Sequence, residues 1–233
     1  MECIYISDLK INSSNVQIDS IDEINHLKAL RIKDNELIMA TNGRGISCEG
    51  YIKKINNKLF IEIKKYYEIN FNENKTETSI LLGLLSNKER LEFALEKSVE
   101  LGVNNIFLFK TKFSNNNKIN LDRLNKKIIS SLKQCKRTKL PKIFILNSIE
   151  EILKFAQFFN YIYIADIDGD NLSEFNLNIK PLVAVGPEGG FSKEEIIYLT
   201  NLLSSKRISL GQRRLRSETA LINMLSLLNH YLI

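Results

Sequence analysis

Two segments near the C-terminus carry residue types that could bind a ligand. The first, residues 186–192, follows the apolar run 183–185 and reads GPEGGFS. Its glycines let the backbone approach a ligand closely and expose N–H groups beside a helix N-terminus, which suits a phosphate, a carboxylate or the polar edge of a nucleoside. The spacing matches neither G-x-x-x-x-G-K-[ST] nor G-x-G-x-x-G. A tight turn whose glycines serve only backbone geometry is an equally good interpretation.

The second segment is basic. Residues 211–220 read GQRRLRSETA and place three arginines within four positions, directly before a C-terminal helix. Such a cluster favours an anionic ligand. For any one of these arginines, the alternative is an ion pair with Glu188 or Glu218 that only holds the segment in place.

The residue types that build metal sites or act as nucleophiles are scarce. Cys3, Cys48 and Cys135 lie far apart without a C-x-x-C motif, and the only histidines are His26 and His230, so no zinc site is predicted. His26 is interpreted as a packing or surface residue of a helix. Transfer from a pre-activated donor fits this inventory best, because it chiefly requires orientation and electrostatics.

Composition places the chain among globular proteins. It has 233 residues, a formal net charge of +6 and a hydrophobic content of 44%, enough for one large or two modest domains. No apolar run approaches the ~20 residues that cross a bilayer, and the N-terminus carries acids where a signal peptide needs a basic and then an apolar stretch. We therefore expect a cytoplasmic protein. The modest positive charge favours an anionic partner such as nucleic acid only weakly.

The first part of the chain predicts a small β domain with one helix. The helix follows Ser20 and Glu23, which form an S-x-x-E capping box, and a polar stretch at 70–78 is interpreted as a linker. The predicted strands are 3–6, 36–40, 46–55 and 58–69.

From residue 79 onward, strands and helices alternate, which predicts a parallel sheet between helices. Residues 79–85 are almost wholly apolar, as in a strand covered on both faces, and the helix 90–101 ends at Gly102. The other predicted strands are 106–109, 143–146, 161–165, 181–185 and 207–210, and the other helices lie near 121–135, 148–159, 193–203 and the C-terminus.

Two further capping boxes are predicted, at Ser148 with Glu151 and at Ser192 with Glu195. The final helix is apolar on two faces, so we expect it to be buried by its own core and by another subunit or domain. Its apolar residues are Ala220, Leu221, Met224, Leu225, Leu227, Leu228, Tyr231 and Leu232.

The glycine-rich and arginine-rich segments are expected to form one site. Each directly follows a predicted strand, 181–185 and 207–210 respectively. Parallel α/β sheets bind ligands beyond the carboxyl ends of their strands, where the strand-to-helix loops gather.

Three motifs in this order resemble those of a known family. They are KSVELGV at 97–103, GPEGGFSKEE at 186–195 and LGQRRLRSETA at 210–220. Together with HLKALR at 26–31 and QCKR at 134–137, they resemble the RsmE family of 16S rRNA uridine-N3 methyltransferases, in the SPOUT superfamily. The resemblance spans essentially the whole chain.

The resemblance implies an α/β protein with a PUA-like RNA-binding β-barrel domain at 1–72 and a SPOUT methyltransferase domain at 73–233, the latter with a parallel sheet and a trefoil knot. The knot is an exception to the usual rule that chains avoid knots, and it is expected from the resemblance alone. The resemblance also implies a homodimer, S-adenosylmethionine as cofactor, and 16S rRNA in the small ribosomal subunit as partner, without a membrane or a metal.

The resemblance places the adenosyl group in the knot, bounded by the loop after Ala165, the loop 186–190 and the segment 210–220, where backbone groups supply most of its contacts. The implied cofactor-binding residues are Ala165, Val185, Gly186, Pro187, Glu188, Gly189, Gly190, Ser209, Leu210, Gly211, Leu215, Arg216, Thr219 and Ala220.

Methylation at uracil N3 requires the N3 proton to leave, so a base or a group that stabilises the uracil anion is needed. Arg213 and Arg216 match recurrent arginines of the family and are assigned the catalytic role of steadying the target phosphate or a uracil oxygen. Arg214 stands where the family is usually apolar and ranks below them. Glu188 and Glu218 also match, and ion pairing within the loops is preferred over proton transfer for both.

The expected RNA contacts are cations that position the substrate through phosphates without choosing the base. One departure from the family affects them: where T-x-R-S is common, this chain reads TKFS at 111–114, with Phe113 in place of the arginine. Lys110 or Lys112 would then substitute as a less precise cation. The predicted RNA-binding residues are Arg31, Arg44, Lys53, Lys54, Lys112 and Arg137.

Two other functions stay open. One is a non-catalytic RNA-binding protein with a degenerate SPOUT domain, against which the intact glycines and the intact LRSETA sequence argue. The other is a SPOUT methyltransferase of tRNA or of another rRNA site. Against that alternative, the N-terminal barrel and the details of GPEGGF favour uridine N3.

Overall fold

The computed structural model describes residues 1–110, 119–171 and 180–232. The chain divides into two compact units. The first unit comprises Met1–Glu73 and Ile129–Leu140, and the second comprises Asn74–Ile128 and Pro141–Ile233. The domain bounds of 1–72 and 73–233 stay a prediction.

The first unit contains a five-stranded sheet in the order β1-β3-β4-β5-β2. β1 pairs with β3 in parallel and the other neighbours are antiparallel. Asn56 and Asn57, both with positive φ (47° and 61°), form the two-residue turn of the hairpin β4–β5. The strands are β1 (Cys3–Tyr5), β2 (Asn15–Gln17), β3 (Leu37–Thr41), β4 (Ser47–Ile55) and β5 (Lys58–Tyr66).

Helix α1 (Ile21–Ala29) begins at the predicted cap, but the capping box there is only half formed. The Ser20 hydroxyl accepts a hydrogen bond from the Glu23 backbone N–H at 3.3 Å. The Glu23 carboxylate does not return to Ser20, because it is buried and accepts a 2.8 Å bond from Lys133 in the same unit. An ion pair in the interior has therefore replaced the second bond of the box.

The second unit is built on a six-stranded sheet in the order β11-β9-β10-β6-β7-β8, with every neighbouring pair parallel. The predicted parallel sheet is confirmed, and all residues of β6 are buried, as expected for a strand covered on both faces. The strands are β6 (Thr78–Gly83), β7 (Val103–Phe109), β8 (Lys142–Leu146), β9 (Tyr161–Asn171), β10 (Pro181–Val185) and β11 (Ser205–Ser209).

The helices are α2 (Lys88–Glu100), α3 (Leu121–Cys135), α4 (Lys193–Leu202) and α5 (Ser217–Leu232). The capping box of α4 is confirmed: Ser192 N–H donates to the Glu195 carboxylate at 2.7 Å, and Glu195 N–H donates to the Ser192 hydroxyl at 3.2 Å. At the end of α2, Gly102 has φ +83°, which confirms its predicted role as the helix stop.

A helix is present where 148–159 was predicted, but it is of the 3₁₀ type, and the predicted capping box is wrong. Ile149–Phe158 forms a 3₁₀ segment with a non-helical residue at Phe155, and the Ser148 side chain makes no capping bond. Aromatic packing explains the departure, since the Phe155 ring centroid lies 4.7 Å from that of Phe144 and 5.1 Å from that of Phe107. Seating these rings in the core outweighs a regular α-helical hydrogen-bond pattern.

Helix α5 packs one apolar face against α2 and β10, where Leu221, Met224, Leu225 and Leu228 are buried. Ile222 and Leu227, which lie on the remaining surface of the helix, are only partly buried. None of the helices in the described part of the chain has the length and apolar character needed to cross a membrane. The trefoil knot stays a prediction.

Candidate functional site

A cleft of about 910 Å³ lies in the second unit, where β9, β10 and β11 end. These three strands are adjacent in the order β11-β9-β10, so the loops after them converge at one edge of the sheet. Of the predicted cofactor-binding and catalytic residues, those that line the cleft are Ala165, Val185, Gly186, Pro187, Glu188, Gly189, Gly190, Leu210, Gly211, Arg213, Leu215, Arg216 and Ala220.

Two predicted cofactor-binding residues lie beside the cleft but are not among those that line it. Ser209 ends β11, and Thr219 is an exposed residue in the first turns of α5. The structure therefore brings the two predicted segments together, and binding of a ligand by them stays a prediction.

The glycine-rich segment forms a tight turn. Gly190 has φ +76° and its N–H donates to the Pro187 carbonyl at 2.9 Å. A Cβ on Gly186 would lie 2.6 Å from the carbonyl carbon of Gly190, a distance that no side chain tolerates. These two glycines are therefore required by the backbone geometry of the turn. At Gly190 the cleft edge carries no side chain, and an added Cβ there would meet nothing within 4 Å.

Glu188 is anchored by Ser86. Its carboxylate accepts a hydrogen bond from the Ser86 backbone N–H at 3.0 Å and one from the Ser86 hydroxyl at 2.7 Å. Partial desolvation raises the pKa of Glu188, but these bonds and the charge of Arg90 outweigh it, so the pKa lies below its ordinary value. A carboxylate held in its ionised form in this way ties the turn to the residues after β6 and is a weak proton acceptor.

The arginines of the second segment differ in their contacts. Arg214 donates to the Glu188 carbonyl at 3.1 Å, so it holds the two segments together. The side chains of Arg213 and Arg216 are exposed at the cleft and make no hydrogen bond or ion pair with the residues that the structure describes. Glu218, which is mostly buried, instead pairs with Arg90 at 3.7 Å. Arg213 and Arg216 therefore supply uncompensated positive charge at the cleft.

A third wall of the cleft is formed by the segment after Ala165, which the resemblance placed at the cofactor site without naming a residue beyond Ala165. Strand β9 continues beyond Ala165 to Asn171, and Asp166, Ile167 and Asp168 line the cleft. Asp166 accepts from the guanidinium of Arg207 at 2.8 Å, and this hydrogen bond raises the pKa of Arg207. The sequence signal was the run DIDGD directly after an apolar strand, in the position where ligand-binding residues of parallel sheets gather.

Other residues of the lining were also missed. They are Arg90, Phe191, Lys193, Ile196 and Ser217. Phe191 stacks on Phe109 with ring centroids 5.8 Å apart, which fixes the end of the glycine-rich segment on the core. Phe191, Lys193 and Ser217 could have been found, because they lie within the GPEGGFSKEE and LGQRRLRSETA motifs. Arg90 lies in the first turn of α2, the helix that carries most of the KSVELGV motif.

The predicted RNA-binding cations of the first unit are mostly exposed. Arg31 is exposed with φ +56°, and the Arg44 guanidinium donates to the Ser7 carbonyl at 2.5 Å. Lys53 donates to Asn35 and lies 3.3 Å from Glu62. Lys54 lines a second cavity, of about 590 Å³, together with Lys28 and Lys58.

Arg137 and Lys112 stand apart from that group. The Arg137 side chain is only 4% exposed and pairs with Glu73 at 2.7 Å, so a carboxylate of the same unit takes the place of the predicted phosphate. Lys112, like Phe113, lies outside the described residues.

Metal-ligating residues do not cluster in the described ranges. Within 1–110, 119–171 and 180–232, no group of three or more His, Cys, Asp or Glu side chains could hold a metal ion. The three cysteines form no disulfide, and burial raises the pKa of Cys3 and of Cys48 to about 12.

Comparison with known proteins identifies both parts of the chain. Residues 72–229 match the model of an RNA methyltransferase domain, and residues 18–65 match that of an RNA methyltransferase PUA domain. A ribosomal RNA small subunit methyltransferase E of Mesomycoplasma hyopneumoniae is 32% identical over 214 residues, which cover 87% of this chain and 89% of that protein. The enzyme of the same name from Rickettsia conorii is 26% identical over 96% of this chain and 93% of its own length.

A solved structure agrees with these sequence relatives. The ribosomal RNA small subunit methyltransferase E from Neisseria gonorrhoeae, crystallised with S-adenosyl methionine, superposes with a TM-score of 0.85 at 25% identity, covering 99% of this chain and 97% of that one. The predicted fold class, with a PUA-like N-terminal domain and a parallel-sheet methyltransferase domain, is thereby confirmed. The chain belongs to the ribosomal RNA small subunit methyltransferase E family.

Proposed function

We propose that this protein is an S-adenosylmethionine-dependent methyltransferase that methylates N3 of one uridine in the 16S rRNA of the small ribosomal subunit. The observation that carries the proposal is the cleft itself, which is lined both by a glycine-rich turn and by two arginines whose side chains have no partner among the described residues. The family relatives and the S-adenosyl methionine of the Neisseria structure support the same activity.

The cleft suits the proposed methyl donor. Its volume of about 910 Å³ lies within the range of sites for ligands of this size. A Cβ on Gly190 or Gly211 would meet nothing within 4 Å, so the space beside these residues is open to a ligand. We assign the donor to the backbone of 185–190 and 210–211, with Ala165 on the side of β9.

S-adenosylmethionine supplies an activated methyl group when it is bound. The task of the protein is to orient uracil and to stabilise the negative charge that develops when N3 loses its proton. Arg213 and Arg216 fit this role, because their guanidinium groups are free to approach a uracil oxygen or the target phosphate. Glu188 is committed to Ser86, so its role is to hold the donor-side turn rather than to take the proton.

The remaining parts of the proposal concern the substrate and the assembly. Arg31, Arg44, Lys53 and Lys54 contact RNA phosphates from a PUA-like domain at 1–72, and the domain at 73–233 carries the knot and the chemistry. The enzyme acts in the cytoplasm as a homodimer, in which a second copy covers the partly buried face of α5.

The test begins with calorimetric titration of S-adenosylmethionine into the purified protein. Gly186→Ala should abolish binding, because its Cβ would displace the backbone at Gly190. Arg123→Ala, on the exposed surface of α3 in the same unit, is the control and should bind as the wild type does.

Transfer of labelled methyl groups to small ribosomal subunits is then counted. Subunits from a strain that lacks this gene should accept label at one uridine, and subunits from the parent strain should accept none. Donor binding together with label on tRNA or on another rRNA site would favour the alternative of a SPOUT methyltransferase that acts on that RNA. No donor binding and no label would leave an RNA-binding protein.

A further inference from the structure

The second cavity, of about 590 Å³, lies within the first unit and shares no residue with the cleft. Its volume is within the range of sites that bind small organic groups. Residues of α1, of the loop after it and of the strands β2, β4 and β5 form its walls. Six of the lining side chains are aliphatic, namely Ile18, Ile24, Leu27, Ile32, Ile52 and Leu59.

These aliphatic side chains form an apolar floor. Three of them are buried members of the core of the first unit. The other three, Ile24, Ile32 and Leu59, pack against that core but are only partly buried, so part of their surface lies open in the cavity. Burying this surface under an apolar or planar group is favourable, because it removes the surface from water.

Backbone hydrogen bonds hold the walls of the cavity in place. The Ile18 N–H donates to the Leu59 carbonyl at 2.9 Å and so joins the end of β2 to β5. The loop after α1 is joined to β4 in two places. There the Asn35 N–H donates to the Ile52 carbonyl at 2.8 Å, and the Ile52 N–H donates to the Glu36 carbonyl at 3.0 Å. The cavity is therefore formed before a ligand arrives, which lowers the entropic cost of binding.

The rim of the cavity is basic. Lys28, Lys54 and Lys58 are exposed, and their ammonium groups make no ion pair or hydrogen bond within the described part of the chain. By contrast, Lys53, which lies on the same hairpin outside the cavity, is 3.3 Å from Glu62. The cavity thus combines three uncompensated positive charges with an apolar floor. This combination suits a ligand that has a flat apolar part and an anionic part.

Asp19 is the one acidic residue of the lining, and it bears on the kind of ligand. One of its carboxylate oxygens accepts a hydrogen bond from the Gln17 amide, and the other accepts none from the residues that the structure describes. The second oxygen can accept from a nucleobase, because each RNA base carries an N–H group. The same carboxylate repels the acidic side chains of a peptide. The charges of the cavity therefore favour a nucleotide over an acidic peptide.

We infer that this cavity binds one unstacked nucleotide of the RNA, with the base on the aliphatic floor and the flanking phosphates at Lys28, Lys54 and Lys58. The substrate must then present an unpaired base to the first unit, because a base inside a duplex cannot reach the floor. The inference rests on the proposed function in taking RNA as the partner of this chain. It deepens that function by adding a base contact to the phosphate contacts.

The test measures, by fluorescence anisotropy, the binding of a single-stranded RNA of about ten nucleotides to the full-length protein. Ile24→Trp fills the cavity with an indole and should weaken binding by about tenfold, since the base loses its floor. Ile21→Trp is the matched control, because Ile21 is 73% exposed on the same helix and does not line the cavity. It should bind as the wild type does. An RNA of the same length without bases should bind both variants equally well.

The salt dependence of the affinity tests the lysines. Lys54→Met combined with Lys58→Met removes two phosphate contacts and should lower the slope of log affinity against log salt by about one to two. Lys33→Met combined with Lys64→Met is the control, since it removes the same charge from exposed lysines that do not line the cavity. Ile24→Trp should leave the slope unchanged, which separates the base contact from the phosphate contacts.

Photocrosslinking of the wild type keeps the test decisive if Ile24→Trp does not fold. An RNA that contains 4-thiouridine should crosslink through its base to lining residues of the cavity, at 17–19 or 57–59. Mass spectrometry of the digested protein locates the crosslinks.

The inference is overturned if Ile24→Trp and Ile21→Trp bind the RNA equally well, or if crosslinks form only outside the cavity. It is also overturned if a labelled glutamate-rich peptide, and not the RNA, loses affinity in Ile24→Trp, since the occupant would then be an acidic protein segment. Failure of the proposed function is distinguishable from these results. A wild type that transfers no methyl group but binds RNA through the cavity would contradict methyl transfer and support the nucleotide site.

Discussion

Arg213 is the residue whose replacement should separate catalysis from donor binding. Arg213→Ala removes an exposed guanidinium from the cleft, and removal of one such charge-stabilising donor lowers the rate of methyl transfer by about 100-fold or more. The Kd for S-adenosylmethionine should change little. Single-turnover methylation of small subunits and calorimetry measure the two effects. A rate within twofold of that of Arg123→Ala would show that Arg213 has no part in the chemistry.

The lowered pKa of the Glu188 carboxylate should be visible in the pH dependence of the unfolding temperature. Its folded-state pKa lies below the ordinary value of 4.5, so the ionised carboxylate stabilises the fold above that value. This stabilisation is lost as the pH falls through the lowered folded-state pKa. Relative to Glu188→Gln, the wild type should therefore have a constant advantage in unfolding temperature near neutrality and a shrinking one in acid.

Thermal unfolding of the two proteins from neutral to acidic pH measures this difference. An advantage of the wild type that grows as the pH falls would mean that Glu188 has a raised pKa, and the carboxylate would then regain its place as a candidate base.

At the scale of elements, the Glu73 carboxylate holds the end of the segment Ile129–Leu140 against the rest of the first unit. Glu73 accepts from the Arg137 guanidinium at 2.7 Å and from the backbone N–H groups of Thr138 and Lys139 at 2.7 Å each. Both charged side chains are less than 5% exposed. Arg137→Met would leave a buried, unpaired carboxylate, at a cost of about 3–5 kcal/mol.

Denaturant unfolding measures this cost, with the exposed pair of Lys154 and Glu151 as the comparison. Lys154→Met should change the free energy of unfolding very little, since exposed ion pairs contribute little. If Arg137→Met is equally stable but loses affinity for RNA, the sequence-based assignment of Arg137 to phosphate binding is correct.

The elements show where sequence patterns suffice and where they do not. Strand β10 was predicted with its observed bounds, because a buried parallel strand is a continuous apolar run between turn residues. Strand β2 was missed, since three residues in a polar stretch carry no period. The helix at 148–159 was placed correctly, but its 3₁₀ geometry was not predicted, because aromatic packing in the core determines the backbone there and no local sequence signal describes that packing.

The site was predicted to a similar degree. The glycine-rich and arginine-rich segments stand out by composition, and the rule for parallel sheets places them together. The bulge at 165–169 depends on a register shift between β9 and β11, two strands that are distant in the sequence. The loop after Ala165 was expected at the site from the family resemblance. Pairing between distant strands leaves no trace in the periodicity of either strand, so the contact between Asp166 and Arg207 could be found only in the structure.

At the scale of the whole molecule, the proposed homodimer predicts that a substitution on α5 should halve the molecular mass measured in solution. Leu227 is a partly buried aliphatic residue on α5, and a charge there should prevent a second copy from packing. Light scattering should report a dimer for the wild type and a monomer for Leu227→Glu. Ser226→Glu, at an exposed position of the same helix, is the control and should remain dimeric. A monomeric wild type would contradict the homodimer.

The contacts of Glu73 with Arg137, Thr138 and Lys139 also affect how the protein folds during translation. The first unit is discontinuous in sequence, because Ile129–Leu140 returns to it after more than fifty residues of the second unit have been synthesised. During translation, Met1–Glu73 leaves the ribosome before Arg137 exists, so the Glu73 carboxylate stays hydrated and the unit stays incomplete until residue 140 has emerged. The first unit can therefore complete its folding only after residues 74–128 of the second unit have been synthesised. A fragment that ends at residue 72 would lack both Glu73 and Arg137, the two residues of the buried ion pair.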